Sequence, residues 1–184
     1  KYNYQICASI LRCAVKNRER AVKVLDIGGS LGSAWFQNRE YLADLVNVEY
    51  TVAEQDHFAR YGHKNLEDGT LKFIKSTDNW DDKNCFDIIL MSASLQYIPH
   101  YEEIIDKIKY AQPNFVILDR LSVSDRKRYC VETIPKTLYE SSYPVVIFDQ
   151  NEVERWFEHS YKLIENDIAS VPENAYFPDG KAES

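Results

Sequence analysis

The feature that most constrains the fold is an alternation of short apolar runs with longer segments of helical periodicity. Buried strands are predicted from the apolar runs at 21–29, 49–54, 71–75, 85–94 and 114–123. Amphipathic or polar helices are predicted between them at 33–47, 57–66 and 101–109. Such an alternation builds βαβ units, so we predict an α/β protein whose mainly parallel sheet carries helices on both faces. The most apolar run, 85–94, is expected at the centre of that sheet.

The rest of the chain extends this pattern without a repeat or a linker. Residues 1–20 are expected to contain a helix, and 122–144 are expected to be irregular because charges and a proline interrupt the periodicity. Further elements are predicted at 145–148 (strand), 151–159 (helix packed through Val153, Trp156 and Phe157) and 161–169 (strand). The whole chain, 1–184, is predicted to be a single domain, since 184 residues is an ordinary domain length.

The first predicted strand ends in a glycine-rich turn, DIGGSLG (26–32), directly before a helix. Glycines let the backbone turn sharply and approach a ligand closely, because no Cβ intervenes. An acid, Glu54, ends the second strand, where a carboxylate can accept both hydroxyls of a ribose. These features favour a nucleotide-like ligand at the carboxyl edge of the sheet. The alternative is a tight strand-to-helix turn that binds nothing.

The turn also resembles the D-x-G-x-G-x-G loop of class I S-adenosylmethionine-dependent methyltransferases, with Ser30 in place of the middle glycine. The segments LDIGGSLGSAW, VAEQDHF, MSASLQYIP, VILDRLSV and SSYPVVIF, in this order, resemble a family of bacterial methyltransferases found among surface-polysaccharide biosynthesis proteins. The resemblance runs from about residue 22 to about residue 170. It implies a Rossmann-like sheet and methyl transfer from S-adenosylmethionine, by our interpretation to an oxygen of a sugar or polysaccharide precursor.

Such a sheet normally ends in a hairpin whose last strand runs antiparallel. The turn signal Asp179-Gly180 lies only four residues before Ser184. We therefore expect the final antiparallel strand to be missing from this chain, and the chain to be an interior piece of a slightly longer protein.

The resemblance also implies roles for particular residues. The methionine end of the cofactor would be lined by Asp26, Gly28, Gly29, Ser30 and Gly32. Glu54 would bind the ribose and Gln55 would lie near the adenine, over which Ser76, Thr77 or Asp78 would close. The segment 92–97 would border the methionine carboxylate and the acceptor pocket, with Ser92, Ser94 and Leu95 as its cofactor-binding members.

No catalytic base stands out, although three side chains are candidates. A hydroxyl acceptor benefits from a base within hydrogen-bond reach. Asp119 ends the fifth strand, but Asp119 and Arg120 are equally well explained as a structural ion pair. His100 and His57 lie at the starts of predicted helices, where capping or solvent exposure is the simpler explanation.

Charge and composition limit the classes of molecule that the chain is expected to bind. The chain carries 22 basic and 29 acidic residues, a net charge of −7, which disfavours nucleic acid and favours a small-molecule or saccharide acceptor. No apolar stretch is long enough to span a bilayer, and no signal peptide is recognised, so a cytoplasmic location is expected. The basic residues after the fifth strand, Arg120, Arg126, Lys127 and Arg128, are either a phosphate contact for the acceptor or a solvated surface. The cysteines and histidines have no zinc-like spacing, so no metal site is predicted.

Two other functions stay open at this point. An NAD-dependent sugar oxidoreductase or epimerase is disfavoured because the glycines do not follow G-x-G-x-x-G and no Tyr-x-x-x-Lys pair follows a suitable strand. A cofactor-binding module without catalytic activity, serving a polysaccharide assembly complex, is compatible with the lack of an obvious base.

Overall fold

The computed structural model describes residues 4–16, 20–83, 85–134, 136–137 and 139–166, together with the backbone of 175–176 and 182–183. The chain divides into two compact units, 1–121 and 122–184. Each unit has its own sheet, and each is described by itself below. The single domain of 1–184 stays a prediction.

The first unit contains a five-stranded sheet in the order β3-β2-β1-β4-β5, with every neighbouring pair parallel. Its strands are β1 Val22–Ile27, β2 Val48–Glu54, β3 Leu71–Lys75, β4 Ile88–Ser92 and β5 Phe115–Asp119. The successive side chains of Val24 and Leu25 are both fully buried, so both faces of the sheet are covered. The predicted parallel α/β fold is confirmed. The expectation for 85–94 is wrong in detail, because β1 is the middle strand and β4 is its neighbour.

The described part of the first unit has four α-helices, of which the first precedes the sheet and the others connect strands. They are α1 Tyr4–Lys16, α2 Ser33–Leu42, α3 Asp56–Asn65 and α4 Tyr101–Ala111. The helix α2 ends five residues before the predicted boundary at 47, because the backbone leaves helical geometry at Ala43 (ψ 138°). As a result Leu45 is 67% exposed instead of lying on a buried helix face.

The second unit begins with a three-stranded sheet in the order β6-β8-β7. Its elements are β6 Val123–Ser124, β7 Arg128–Ile134, β8 Ser141–Asp149 and α5 Gln150–Phe157. The strands β7 and β8 form an antiparallel pair, whereas β6 runs parallel to β8. The expectation of an irregular segment at 122–144 is therefore wrong. Four of the seven side chains of β7 are exposed and two are charged, so the segment lacks the apolar alternation that marks a strand.

The end of the chain departs from expectation in two places. Residues 161–166 form no regular secondary structure, so the first part of the strand predicted at 161–169 is wrong, and 167–169 lie outside the described residues. The helix α5 only half-buries Val153, Trp156 and Phe157. The predicted turn Asp179-Gly180 also lies outside the described residues. On either side of it, β9 Ala175–Tyr176 and β10 Ala182–Glu183 pair antiparallel.

Within the described parts of the chain, no helix combines the length and the apolar character needed to cross a membrane.

Candidate functional site

The glycine-rich turn after β1 has a backbone that few side chains would tolerate. Gly28, Ser30 and Gly32 have φ values of 73°, 54° and 81°, in the left-handed region. A Cβ at position 28 would lie 2.5 Å from the Cβ of Ser94, whose hydroxyl donates a hydrogen bond of 2.7 Å to the carbonyl of Ile27. The turn is therefore held directly against the residues that follow β4, and only glycine fits at position 28.

A fully buried carboxyl group lies beneath this turn. The Tyr50 hydroxyl donates a 2.8 Å hydrogen bond to Oδ2 of Asp26, while Oδ1 has no partner among the described residues. A Cβ at Gly29 would overlap this carboxyl group. Burial raises the pKa of Asp26 to about 7, with a smaller contribution from the charge of Glu54, and the hydrogen bond from Tyr50 opposes this rise. Asp26 thus offers an unused acceptor directly under the glycine backbone.

The carboxyl end of β2 supplies a second acid. Glu54 is half-buried, and its Oε2 accepts a 2.5 Å hydrogen bond from the backbone N–H of Gln55. Gln55 is exposed at the start of α3. The turn after β3 is tied to this strand end, since the N–H of Ser76 donates to the carbonyl of Glu54 at 2.7 Å, while Thr77 and Asp78 are exposed. These residues follow neighbouring strands, as expected from the sequence.

A polar cluster joins the carboxyl ends of β4 and β5. The Ser92 hydroxyl donates a 2.5 Å hydrogen bond to Oδ2 of Asp119, and Nη2 of Arg120 donates to the Ser92 hydroxyl at 2.9 Å. The Nε of Arg120 lies 3.4 Å from the same Oδ2. Gln96 is 4% exposed, and it donates to the Arg120 carbonyl at 3.3 Å while its Oε1 has no partner among the described residues. The Asp119–Arg120 ion pair exists, but it is part of a larger network.

Three adjacent strands, β1, β4 and β5, are each followed directly by a left-handed residue. These residues are Gly28, Ala93 and Arg120, and the last two have φ values of 53° and 52°. A residue with a Cβ pays a penalty of about 1 kcal/mol or more in this region, and such residues concentrate at functional sites. The carboxyl edge of the sheet is therefore where backbone strain, unpartnered acceptors and close backbone contacts coincide.

The two candidate histidines lie at the starts of helices, as expected. His100 is exposed and precedes α4 with a left-handed φ of 55°, and its carbonyl accepts from the N–H of Glu103. His57 is exposed in the first turn of α3, with its ring centroid 4.4 Å from that of Phe58. Leu95, by contrast, is fully buried. No hydrogen bond within the described residues joins either histidine side chain to the cluster of Ser92 and Asp119.

Two functional candidates were not singled out from the sequence. Tyr50 contacts Asp26 because β1 and β2 are paired with Val24 opposite Tyr50, a register that local patterns do not fix. Gln96 was named only within the segment 92–97, and its burial depends on how the short 3-10 helix Leu95–Tyr97 packs. A polar aromatic residue in the middle of a buried strand was the available signal for Tyr50.

A separate groove lies at the opposite end of the sheet. It has a volume of about 370 Å³ and is formed by α2 and by residues that follow α2, precede β3 or begin β2. Its lining residues are Trp35, Arg39, Glu40, Leu42, Ala43, Val46, Asn47, Val48 and Thr70. This groove does not coincide with the glycine turn. In the part of the chain that is described, no three His, Cys, Asp or Glu side chains are grouped to hold a metal ion.

Comparison with known proteins identifies the fold. No protein-family model and no curated protein sequence matches the chain. The structure is similar to that of CalS10, an amino pentose methyltransferase from Micromonospora echinaspora (TM-score 0.53, 9% identity, 87% of this chain and 83% of that chain). It is also similar to an S-adenosylmethionine-dependent methyltransferase from Mesorhizobium loti (TM-score 0.51, 12% identity, 83% and 81%).

Other matches extend over less of the matched protein. The chain covers 53% of the YcgJ protein from Bacillus subtilis, with a TM-score of 0.44, and 27% of LepI, with a TM-score of 0.41. The similarities to CalS10 and to the Mesorhizobium loti enzyme are distant in sequence but extend over most of both chains. This chain therefore has the Rossmann-like fold of S-adenosylmethionine-dependent methyltransferases.

Proposed function

We propose that the chain is an S-adenosylmethionine-dependent methyltransferase that methylates a hydroxyl oxygen of a small molecule, a sugar or a polysaccharide precursor. The observation that carries the proposal is the turn of Gly28 and Gly29, which leaves no space for a Cβ and covers the unpartnered oxygen of Asp26. A buried carboxyl group beneath a backbone without side chains suits a ligand that brings its own cation, and the methionine end of this cofactor carries an ammonium group. The residues present therefore fit the cofactor that the fold suggests.

The remaining predicted contacts are consistent with this assignment. Ser30 and Gly32 would complete the turn around the methionine end, and Glu54 would accept the ribose hydroxyls. Gln55 would lie near the adenine. Ser92, Ser94 and Leu95 follow the neighbouring strand and would border the methionine carboxylate. The hydroxyl of Ser94 already donates its hydrogen to the carbonyl of Ile27, so towards a ligand it would act as an acceptor.

The bound cofactor would supply a methyl group on a positively charged sulfur. Displacement at such a methyl group depends mainly on alignment, so the first task of these residues is to hold the acceptor in line and to exclude water. Asp119 has the position and the chemistry to take the acceptor's proton. Ser92 and Arg120 both approach its Oδ2, so Oδ1 is the atom that would receive that proton.

Two observations support a small or sugar-like acceptor. The net charge of −7 disfavours nucleic acid, and CalS10, which has the same fold, is an amino pentose methyltransferase. In the second unit, Lys127 lies 3.2 Å from Glu152, and Arg128 lies 3.9 Å from Asp125. These bases face acids of their own unit, which disfavours a phosphate site at 125–128. The cytoplasmic location stays a prediction.

Calorimetry with S-adenosylhomocysteine tests the cofactor assignment. We expect the wild type to bind it, and Gly28→Val to lose about 100-fold or more in affinity, because the new side chain meets Ser94 at a left-handed position. The matched control is Gly69→Ala, since a Cβ at Gly69 meets nothing within 4 Å. NAD is titrated in parallel. Tighter binding of NAD, or equal S-adenosylhomocysteine affinity in Gly28→Val and Gly69→Ala, would contradict the proposal.

The acceptor is tested separately by methyl transfer. Wild-type protein is incubated with labelled S-adenosylmethionine and a panel of nucleotide sugars, lipid-linked saccharides and hydroxylated small molecules. We expect label on a hydroxyl oxygen of one of them. A protein that binds the cofactor but labels none of the panel would be the non-catalytic module or would act on another class of acceptor.

A further inference from the structure

Gln96 is a polar side chain whose burial is not explained by packing. It lies in the short 3-10 helix Leu95–Tyr97 after β4 and is 4% exposed. Its Nε2 donates a 3.3 Å hydrogen bond to the carbonyl of Arg120, and its Oε1 has no partner among the described residues. Burying an amide oxygen without a partner costs free energy that an apolar side chain of similar volume would not cost. Proteins retain such a residue mainly where function requires it.

The carbonyl that Gln96 contacts belongs to a strained residue. Arg120 directly follows β5 and has a left-handed φ of 52°. Because a carbonyl oxygen can only accept, the amide of Gln96 must present its N–H group here, and this fixes the way the amide faces. Within the described part of the chain, no other group hydrogen-bonds to the backbone of Arg120. Gln96 therefore stabilises this left-handed turn from inside the first unit.

The left-handed turn brings the Arg120 side chain back to the end of the sheet. Its Nη2 donates to the Ser92 hydroxyl at 2.9 Å, and its Nε lies 3.4 Å from Oδ2 of Asp119. Because this side chain is 64% exposed, packing holds it only weakly, and its position depends on the direction in which the backbone presents it. A change at the Arg120 backbone would therefore release Oδ2 of Asp119 from one of its two partners.

We propose that Gln96 is a positioning residue for methyl transfer, which holds the carboxylate of Asp119 in place through the backbone of Arg120. This role depends on the proposed function, in which Oδ1 of Asp119 takes the proton of the acceptor. Ser92 and Arg120 together hold Oδ2, so Oδ1 keeps one direction. A general base must lie within hydrogen-bond reach of the proton that it takes. Loss of the Gln96 contact should therefore slow the transfer although the base is still present.

The same short turn also contacts the glycine-rich turn. Ser94, two residues before Gln96, donates to the Ile27 carbonyl at 2.7 Å and lies against Gly28. The N–H of Tyr97 donates to the carbonyl of Ser94 at 3.0 Å, so these contacts and that of Gln96 belong to one hydrogen-bonded segment. The segment thus fixes the base relative to the proposed cofactor site, as an in-line displacement requires.

The variant Gln96→Met separates this role from a structural one. Methionine has a similar length but no N–H, so it breaks the bond to Arg120 and also removes the unpartnered oxygen. Urea unfolding should give a free energy of unfolding equal to that of the wild type or higher. The kcat for transfer to the hydroxyl acceptor found in the panel should fall about tenfold or more, with an unchanged KM for S-adenosylmethionine.

The matched control is Gln37→Met, which replaces an exposed glutamine of α2 and should change neither stability nor kcat. An unchanged kcat in Gln96→Met, or a loss of stability beyond that of Gln37→Met, would overturn the proposal.

A double-mutant cycle tests whether Gln96 acts through Arg120. Arg120→Gln should also lower kcat, because it removes the group that holds Ser92 and Asp119 together. Adding Gln96→Met to this variant should cause no further loss, since the guanidinium group that Gln96 positions is already gone. Losses in kcat that multiply would overturn the proposal.

A crystal structure of Gln96→Met tests the positioning without any acceptor. We expect Arg120 to leave the left-handed region and its Nη2 to move beyond hydrogen-bond distance of the Ser92 hydroxyl. Calorimetry with S-adenosylhomocysteine should give the variant the affinity of the wild type, since Gln96 is not among the predicted cofactor contacts. An Arg120 that stays in place would overturn this proposal, whereas a wild type that binds no S-adenosylhomocysteine would contradict the proposed function instead.

Discussion

Two buried aspartates lie at opposite ends of the five-stranded sheet, and their surroundings differ. Asp87, 3% exposed, precedes β4 and accepts two 2.6 Å hydrogen bonds from Arg20, one of 2.9 Å from the N–H of Lys23 and one of 3.0 Å from Asn114. Asp26, fully buried near the end of β1, accepts one hydrogen bond from the described residues, and its Oδ1 has no partner among them.

The comparison separates a structural carboxylate from one that is available to a ligand. Burial alone would raise the pKa of Asp87, but its hydrogen bonds to Arg20, Lys23 and Asn114 and the Arg20 charge together lower it. At Asp26 the hydrogen bond from Tyr50 offsets the cost of burial only in part, and the pKa rises to about 7. A satisfied carboxylate at the amino end holds the starts of the strands together. An unsatisfied one at the carboxyl end costs stability until a donor arrives.

The largest effect is expected from the pH dependence of Asp26. The unfolded chain releases this proton near pH 3.8 and the folded chain near pH 7, so the folded state holds more protons between these values. Stability therefore falls as pH rises through this window, by up to about 4 kcal/mol. Asp26→Asn should abolish this contribution and keep the hydrogen bond from Tyr50.

Urea unfolding at pH 5 and pH 8 gives the free energy of unfolding of the wild type and of Asp26→Asn. The difference between the two proteins isolates Asp26, because the contributions of the other titrating groups are the same in both. The variant should gain stability over the wild type on going to the higher pH. Its affinity for S-adenosylhomocysteine should fall, because the charge that receives the ammonium group is gone. A variant without a relative gain at pH 8 would mean that Asp26 is ionised in the folded chain without a penalty.

A smaller effect, about 3 kcal/mol, is expected for Asp87→Asn. The substitution removes a charge that Arg20 and the N–H of Lys23 both use, although Arg20 is 50% exposed and regains water. Asp87 stabilises the fold at pH values above its pKa in the unfolded chain. This stabilisation is lost as pH falls through its lower pKa in the folded chain, so the pH dependence is opposite to that of Asp26. Urea unfolding at pH 7 measures the loss, with the exposed Asp82→Asn as the control. Equal stability of Asp87→Asn and Asp82→Asn would show that the amino-end network is dispensable.

The smallest effect on stability, within about 1 kcal/mol, is expected for Asp119→Asn, because its ion-pair partner Arg120 is 64% exposed and screened by water. Its effect should fall on kcat for methyl transfer, with the KM for S-adenosylmethionine unchanged. A drop in stability without a drop in kcat would place Asp119 with Asp87, as a structural carboxylate.

Local sequence patterns predicted the parts of the fold that depend on local physics. β3 was predicted at 71–75 with its observed bounds, since apolar and polar residues alternate there between turns. The glycine turn was predicted because its left-handed backbone requires glycine at positions 28 and 32, and glycines are visible in the sequence. The role of Asp87 was missed because Arg20 lies 67 residues away in the chain. The β7–β8 hairpin was missed because exposed and charged side chains interrupt the alternation of apolar and polar residues that predicts a strand.

The space above Asp26 has a consequence for related sequences. A Cβ at Gly29 would overlap the buried carboxyl group, so neither position can change freely while the other stays as it is. A relative with alanine at position 29 is expected to carry a residue shorter than aspartate at position 26. The two positions should therefore vary together, and that covariation would trace which relatives keep the same ligand chemistry.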